Sequence, residues 1–188
     1  TLIEGEYSSV SIADGDTAQQ AVEELYRHGH RRIAALISRP NDQSISQLRY
    51  EGYVQALESH GIPVDPELVI STGGFDVRDA YSAVKAALER GVDFTALFAI
   101  ADSMAIGAMR ALMDAGRRIP EDCSVIAIDG LELSAYIEPP LTTLCQPMEE
   151  MGRRSAEILL DMVRHKGSHA CELLPTTLRQ GRSVAAPG

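Results

Sequence analysis

Short apolar runs alternate with helix-like segments along most of the chain, and this alternation limits the folds that it can adopt. Apolar residues at Ala18, Ala21, Val22 and Leu25 lie on one face of a predicted helix, which Gly29 can end. The run RRIAALIS that follows is typical of a buried strand. Strands that alternate with helices of this length favour a parallel sheet with right-handed crossovers and helices on both faces. We therefore predict an α/β fold.

The same alternation continues to Asp129. Further strands are predicted in ELVIS, TALFAI and CSVIAID, and further helices in 50–57, 76–90 and from residue 105 onward. The prolines of PPLTTLCQP then exclude a helix there. The stretch leads into a long amphipathic helix. We expect it to be a segment in which the chain crosses from one part of the fold to another.

A long amphipathic helix and a short terminal segment complete the prediction. The helix has an apolar face made of Met148, Met151, Ile158, Leu159 and Met162. The stretch CELLPTTL is a predicted edge strand, because it contains a proline, and VAAPG is a predicted frayed end.

Composition excludes several classes of protein. A chain of 188 residues with 45% apolar residues predicts one compact unit. A net charge of −10 argues against a nucleic acid lying on these residues. The odd number and wide spacing of Cys123, Cys145 and Cys171 favour buried reduced thiols over disulfides or a metal site.

Neither a membrane span nor an export signal is predicted. Apolar stretches stay shorter than the roughly 20 residues that a membrane helix needs. The opening TLIEGEYSSV has no charged segment followed by an apolar one. We expect a soluble cytosolic protein and, because the first residue is Thr1, part of a longer chain.

Candidate ligand-binding residues are those that follow the predicted strands, since ligands of open parallel sheets bind beyond the carboxyl ends of the strands. These residues are the polar 41–43, Arg49, Phe75, Asp102 and Asp129. Two carboxylates, a guanidinium and an aromatic ring at one edge would suit a sugar or a nucleoside.

Each candidate has a structural alternative. Asp102 lies at a helix start and is expected to be its N-cap, with a ligand contact as a second role. Asp129 could bind a ligand or make hinge hydrogen bonds. Arg49 could bind a ligand at a cleft outside the core or be a solvated helix residue, and Phe75 could stack on a ligand or pack in the core.

Catalysis and cofactor binding find little support in the sequence. None of the five histidines follows a predicted strand, and GxSxG, HExxH, GxxxxGK[ST] and a GxGxxG after a strand are absent from it. We expect neither an enzyme nor a metal or cofactor site.

Four longer motifs occur in the chain, in the order GHRRIAALIS, LRYEGYVQALESHGI, TALFAIADSMAIGAMRALMDAGRRIPEDCSVIAID and PPLTTLCQPMEEMGRRSAEILL. Together they resemble the effector-binding region of the LacI/GalR family of bacterial transcription repressors. The resemblance implies one part of a two-lobed, periplasmic-binding-protein-like domain, with most of the N-terminal lobe absent. Residues 13–144 would form the C-terminal lobe, 146–171 would return to the N-terminal lobe, and 172–188 would be a terminal strand and tail.

The resemblance also implies partners and contacts. A small polar effector would bind between the two lobes of each subunit, and the protein would be a cytoplasmic homodimer. Operator DNA would bind only to an N-terminal helix-turn-helix that precedes these residues. Effector contacts would fall on Arg49, Phe75, Asp129 and Gln146. The chain departs from sugar-responsive members at Ala101, where an Asn is common, and at Gly130, where an acid or amide is usual. A solute-binding protein of a transport system shares this fold and is the alternative.

One expectation about the long helix follows from the resemblance. If the sheet that this helix covers is absent, we expect the helix to pack against another copy of the chain or an alternative surface of its own lobe. Met151, Ile158, Leu159 and Met162 will then not all be buried against residues 13–144 in an ordinary core.

The charge of the chain makes a direct prediction about DNA. Residues 1–188 alone should not shift a double-stranded operator in a gel at physiological salt, because the net charge of −10 repels phosphates. A shift that weakens steeply as salt rises would contradict this prediction.

Overall fold

The computed structural model describes residues 7–38, 44–165 and 170–188. Within these ranges the chain forms eight strands and five α-helices. The strands are β1 (Ser9–Ile12), β2 (Ile33–Ser38), β3 (Val69–Thr72), β4 (Ala96–Ala99), β5 (Ser124–Asp129), β6 (Thr142–Cys145), β7 (Cys171–Leu174) and β8 (Thr177–Arg179). The helices are α1 (Asp14–Arg27), α2 (Ile45–Ser59), α3 (Val77–Glu89), α4 (Asp102–Asp114) and α5 (Met148–His165).

The main sheet has the strand order β3-β2-β4-β5-β6-β8. All its neighbours pair in parallel except β8, which is antiparallel to β6. Every residue of β2 and β4 is buried, as is β5 up to its last residue, because helices cover both faces of these central strands. The predicted α/β class is confirmed.

Two helix pairs flank the main sheet, α1 with α2 and α3 with α4. Glycines permit the close approach within each pair. A Cβ atom on Gly52 of α2 would lie 2.1 Å from the carbonyl oxygen of Gly15 in α1. A Cβ atom on Gly107 of α4 would lie 2.1 Å from the carbonyl oxygen of Val77 in α3. The backbones of the paired helices therefore pack almost directly on each other.

A small sheet of β1 and β7, paired in parallel, lies apart from the main sheet and packs against α5. The predicted single edge strand CELLPTTL is wrong in this respect. The chain forms β7 before Pro175 and β8 after it, and the two strands belong to different sheets. Proline interrupts the ladder because it has no N–H to donate.

The apolar face of α5 is only partly covered. Met151 packs against the edge of the main core, whereas Ile158 and Met162 are half-buried and Leu159 is 62% exposed. The expectation that residues 13–144 do not bury this whole face agrees with these exposures. The surface that α5 packs against is the small sheet, through β1, which was not among the expected surfaces. The division of the chain into lobes at 144, 146 and 171 stays a prediction.

The C-terminal segment is packed up to Ala185, so the predicted frayed end is wrong for Val184 and Ala185, whereas residues 186–188 are exposed. Ser183 is buried and donates a hydrogen bond to the carbonyl of Val125 in β5, 2.6 Å away. The carbonyl of Ala185 accepts one from Nε2 of His30 at 2.9 Å. Burial lowers the pKa of His30, which therefore serves as a neutral hydrogen-bonding ring between the main sheet and the C-terminal segment.

The three thiols lie in different environments. Cys123 is buried, and this burial raises its pKa to about 12. Cys145 is half-buried and Cys171 is exposed, so the expectation of buried thiols is correct for Cys123 and wrong for Cys171. Among the described helices, none is both long enough and apolar enough to cross a membrane.

Two glycine substitutions test the helix packing. Gly107→Ala should lower the free energy of unfolding by about 1–3 kcal/mol, because the new methyl group overlaps the backbone of α3. Gly152→Ala in α5 is the matched control, since a methyl group there meets nothing within 4 Å. The control should be stabilised by about 0.5–1 kcal/mol through helix propensity alone. Urea unfolding followed by circular dichroism measures both, and equal effects would contradict the packing.

Candidate functional site

The carboxyl ends of the central strands bring polar groups together around Arg49. Its Nε donates to Oδ1 of Asp14, which begins α1, at 2.8 Å. Its Nη1 donates to the carbonyl of Ile100, just after β4, and to Oδ1 of Asp129, the last residue of β5, at 3.2 Å. Gln146, just after β6, donates from Nε2 to the same Asp129 oxygen at 2.8 Å. We name these four side chains, Asp14, Arg49, Asp129 and Gln146, the polar cluster.

Arg49 is 3% exposed, so both of its sequence-based placements need correction. It is not a solvated helix residue and does not lie outside the core, and its contact with a ligand stays a prediction. Burial of a guanidinium is costly unless charges and hydrogen bonds compensate it, and Asp14 and Asp129 supply both. Among the described residues, its hydrogen bonds use Nε and Nη1 and leave Nη2 without an acceptor.

Asp129 has a strained backbone. Its φ is +133°, in the region that favours glycine, and Gly130 follows at +77°. A residue held in such a conformation costs on the order of 1–3 kcal/mol, and such strain is concentrated at ligand-binding and active sites. The hydrogen bonds to Arg49 and Gln146 fix the carboxylate, whose side chain remains 25% exposed.

The predicted role of Asp102 as an N-cap is wrong. The N-cap of α4 is Ala101, and Asp102 is the first helical residue. Its carboxylate is fully buried and accepts hydrogen bonds from the N–H of Leu131 at 2.8 Å, Ser134 Oγ at 2.7 Å and Thr143 Oγ1 at 2.6 Å. Burial raises the pKa of this carboxyl, although the three hydrogen bonds oppose the shift. A direct ligand contact by Asp102 does not fit its complete burial.

Phe75 lies in the loop between β3 and α3 and is 43% exposed, which excludes the core-packing alternative. Its carbonyl accepts a hydrogen bond from Ser103 Oγ at 2.6 Å, which ties the loop to the first turn of α4. The ring is thus available for stacking near the carboxyl edge of the main sheet. The candidate polar residues Asn41, Asp42 and Gln43 lie outside the described residues.

Sequence reasoning missed Asp14. The signal was an acid two residues after the short strand β1, in VSIADGD, and acids at the ends of strands are what singled out Asp129. It was overlooked because the alternating pattern begins only with α1. Within the described ranges, no group of three or more His, Cys, Asp or Glu side chains could hold a metal ion.

Comparisons with known proteins agree with this geometry. Residues 22–184 match the model of the periplasmic binding protein-like domain. The HTH-type transcriptional repressor CytR of Escherichia coli K12 is 38% identical over 175 residues, which are 90% of this chain and 51% of CytR. The chain thus spans about half the length of the curated relatives that it matches.

Two solved structures are similar over nearly the whole chain. The transcriptional regulator CelR in complex with cellobiose has 34% identity and a TM-score of 0.89, covering 97% of this chain and 55% of that one. A LacI family transcriptional regulator from Enterococcus faecium with bound ribose has 32% identity and a TM-score of 0.87, covering 99% and 68%.

The main sheet, with polar groups at its carboxyl edge, defines a ligand-binding domain of the periplasmic-binding-protein-like class. Its relatives are transcriptional regulators and not enzymes. The chain belongs to the LacI family of transcriptional regulators.

Removal of the buried guanidinium should cost stability. Arg49→Ala in the full-length protein should lower the free energy of unfolding by about 3–5 kcal/mol, because Asp14 then remains buried without a cation. The double variant Arg49→Ala/Asp14→Ala should recover part of this loss. Chemical denaturation of the wild type, both single variants and the double variant measures the coupling energy between Arg49 and Asp14. If the losses in unfolding free energy of the two single variants simply add up in the double variant, the ion pair does not stabilise the fold.

Proposed function

We propose that this chain is the effector-sensing part of a DNA-binding transcriptional regulator. A small polar molecule binds at the carboxyl edge of the main sheet, and its binding changes the affinity of the full-length protein for operator DNA. The observation that carries the proposal is the polar cluster. Its arginine is held in place before any ligand arrives, and its Nη2 has no acceptor among the described residues.

The chemistry of this edge favours a sugar, with a nucleoside as the second class. Arg49 can donate to a ligand hydroxyl, and the partly exposed carboxylate of Asp129 can accept from one. The Phe75 ring can stack on the apolar face of a sugar or on a base. Cellobiose in CelR and ribose in the Enterococcus faecium regulator support the sugar class.

The small sheet supports a two-lobed arrangement. We assign 13–144 to one lobe and 146–171, which contains α5 and the first residue of β7, to a second lobe whose remainder precedes these residues. The exposed Leu159, Leu160 and Val163 of α5 would then be covered by that remainder. A ligand between the lobes binds the closed state better than the open one and so shifts the population toward closure.

A helix-turn-helix that precedes these residues would contact the DNA. The full-length protein would be a homodimer and would be located in the cytoplasm. The alternative is a solute-binding protein of a transport system, which has the same fold. The HTH-type regulators among the relatives favour the sensor. Neither proposal requires a cofactor.

A ligand screen on the full-length protein tests the proposal. Cellobiose, ribose, cytidine and adenosine are added in a thermal-shift assay, where a ligand at 100 times its Kd stabilises the folded state by about 2.7 kcal/mol. A stabilising ligand should change the affinity for promoter DNA in a gel shift. Phe75→Ala should weaken its binding, whereas Met113→Ala, a similarly exposed apolar residue on α4, should not.

The outcomes separate the two candidate functions. A ligand that alters DNA binding supports the sensor. A ligand that binds tightly while the full-length protein has no affinity for DNA would support the solute-binding protein.

A further inference from the structure

The turn after β5 is held from two sides by residues that lie outside the polar cluster. Asp102 holds it by accepting from the N–H of Leu131 and from Ser134 Oγ. Arg179 of β8 holds it by donating to the carbonyls of Leu131, at 3.0 Å, and Gly130, at 3.4 Å. Arg179 also donates to Ser134 Oγ at 2.5 Å.

The two side chains act on the same few residues in complementary ways. The carboxylate of Asp102 satisfies an N–H and a hydroxyl group, and the guanidinium of Arg179 satisfies carbonyls, so the turn cannot rotate without losing bonds on both sides. Ser134 joins the two, since its hydroxyl donates to Asp102 and accepts from Arg179. The two charged groups themselves are 4.0 Å apart.

This turn determines where the Asp129 carboxylate points. Asp129 precedes it directly and has a φ of +133°, a conformation that persists only when its surroundings enforce it. The turn is also confined on the side of β6, because Cys145 pairs with Asp129 and its Sγ would lie 2.5 Å from a Cβ atom on Gly130. Relaxation of the turn would therefore move Asp129 away from Arg49 and Gln146.

We propose that Asp102 and Arg179 are positioning residues for effector binding, which hold the turn that aims Asp129 at Arg49. Neither needs to touch the ligand, and Asp102 cannot, because it is fully buried. Affinity for the effector then depends on Arg179, a residue of the C-terminal strand β8. This inference rests on the proposed role of Asp129 in ligand binding.

Hydrogen exchange in the full-length protein tests the hold on the turn without any ligand. Arg179→Gln should raise the exchange rate at residues 131–134 by about tenfold, because the turn loses the donors to its carbonyls. Arg182→Gln is the matched control, since Arg182 also lies in the C-terminal segment but pairs with Glu138 at the surface. Arg179→Lys keeps the charge and one donor group. Its exchange rate at residues 131–134 should therefore lie between those of the wild type and Arg179→Gln.

Ligand affinity gives the second readout. In calorimetry with whichever of cellobiose, ribose, cytidine or adenosine stabilises the wild type, Arg179→Gln should bind about tenfold more weakly well below its Tm. Arg182→Gln should bind as the wild type does. Asp102→Asn keeps an acceptor for the Leu131 N–H and should lose less affinity than Asp102→Ala.

The results distinguish failure of this inference from failure of the proposed function. Unchanged exchange at 131–134 in Arg179→Gln overturns the inference, as does raised exchange with an affinity within twofold of wild type. If none of the four compounds binds, the proposed ligand class is wrong, and the exchange rates still decide whether Arg179 holds the turn.

Discussion

The buried guanidinium of Arg49 is the constraint on which the site depends. A buried charge is costly unless hydrogen bonds and opposite charges compensate it. The guanidinium finds these acceptors at the start of α1, just after β4 and at the end of β5. Each of these partners belongs to a different part of the fold, so the polar cluster also fixes how these parts pack together. The same interaction therefore stabilises the fold and pre-organises a donor at the edge where ligands of such sheets bind.

Strain and rigidity are combined at Asp129. The central strands are buried along their length and provide a stiff base, while the residue at the end of β5 adopts a backbone conformation that is unfavourable by itself. Arg49 and Gln146 donate to its carboxylate on one side. On the other side the following turn donates to Asp102 and accepts from Arg179, and these bonds together offset the cost. A ligand would meet a carboxylate whose orientation is already set, so little ordering entropy would be lost on binding.

Local patterns in the sequence were sufficient for most of the fold. The spacing of apolar residues located α1 to α5 and the central strands because burial on one face imposes a period of 3.6 in helices, and burial on both faces produces continuous apolar runs in strands. The pattern failed near the terminus. There CELLPTTL divides between two sheets, and the carbonyl of Ala185 accepts a hydrogen bond from His30. Local propensity decides neither outcome, because both depend on residues distant in sequence.

The candidate site shows the same boundary between sequence and structure. The sequence alone placed Arg49 and Asp129 after predicted strands, and hence at one edge of the sheet, and the family resemblance added Gln146. Only the tertiary structure decided that Arg49 is buried, that Asp14 is its partner across 35 positions of the chain, and that Asp102 holds a turn and does not cap its helix. The physical reason is that a charged side chain is placed by the compensation available around it, which comes from residues distant in sequence and is absent from any local pattern.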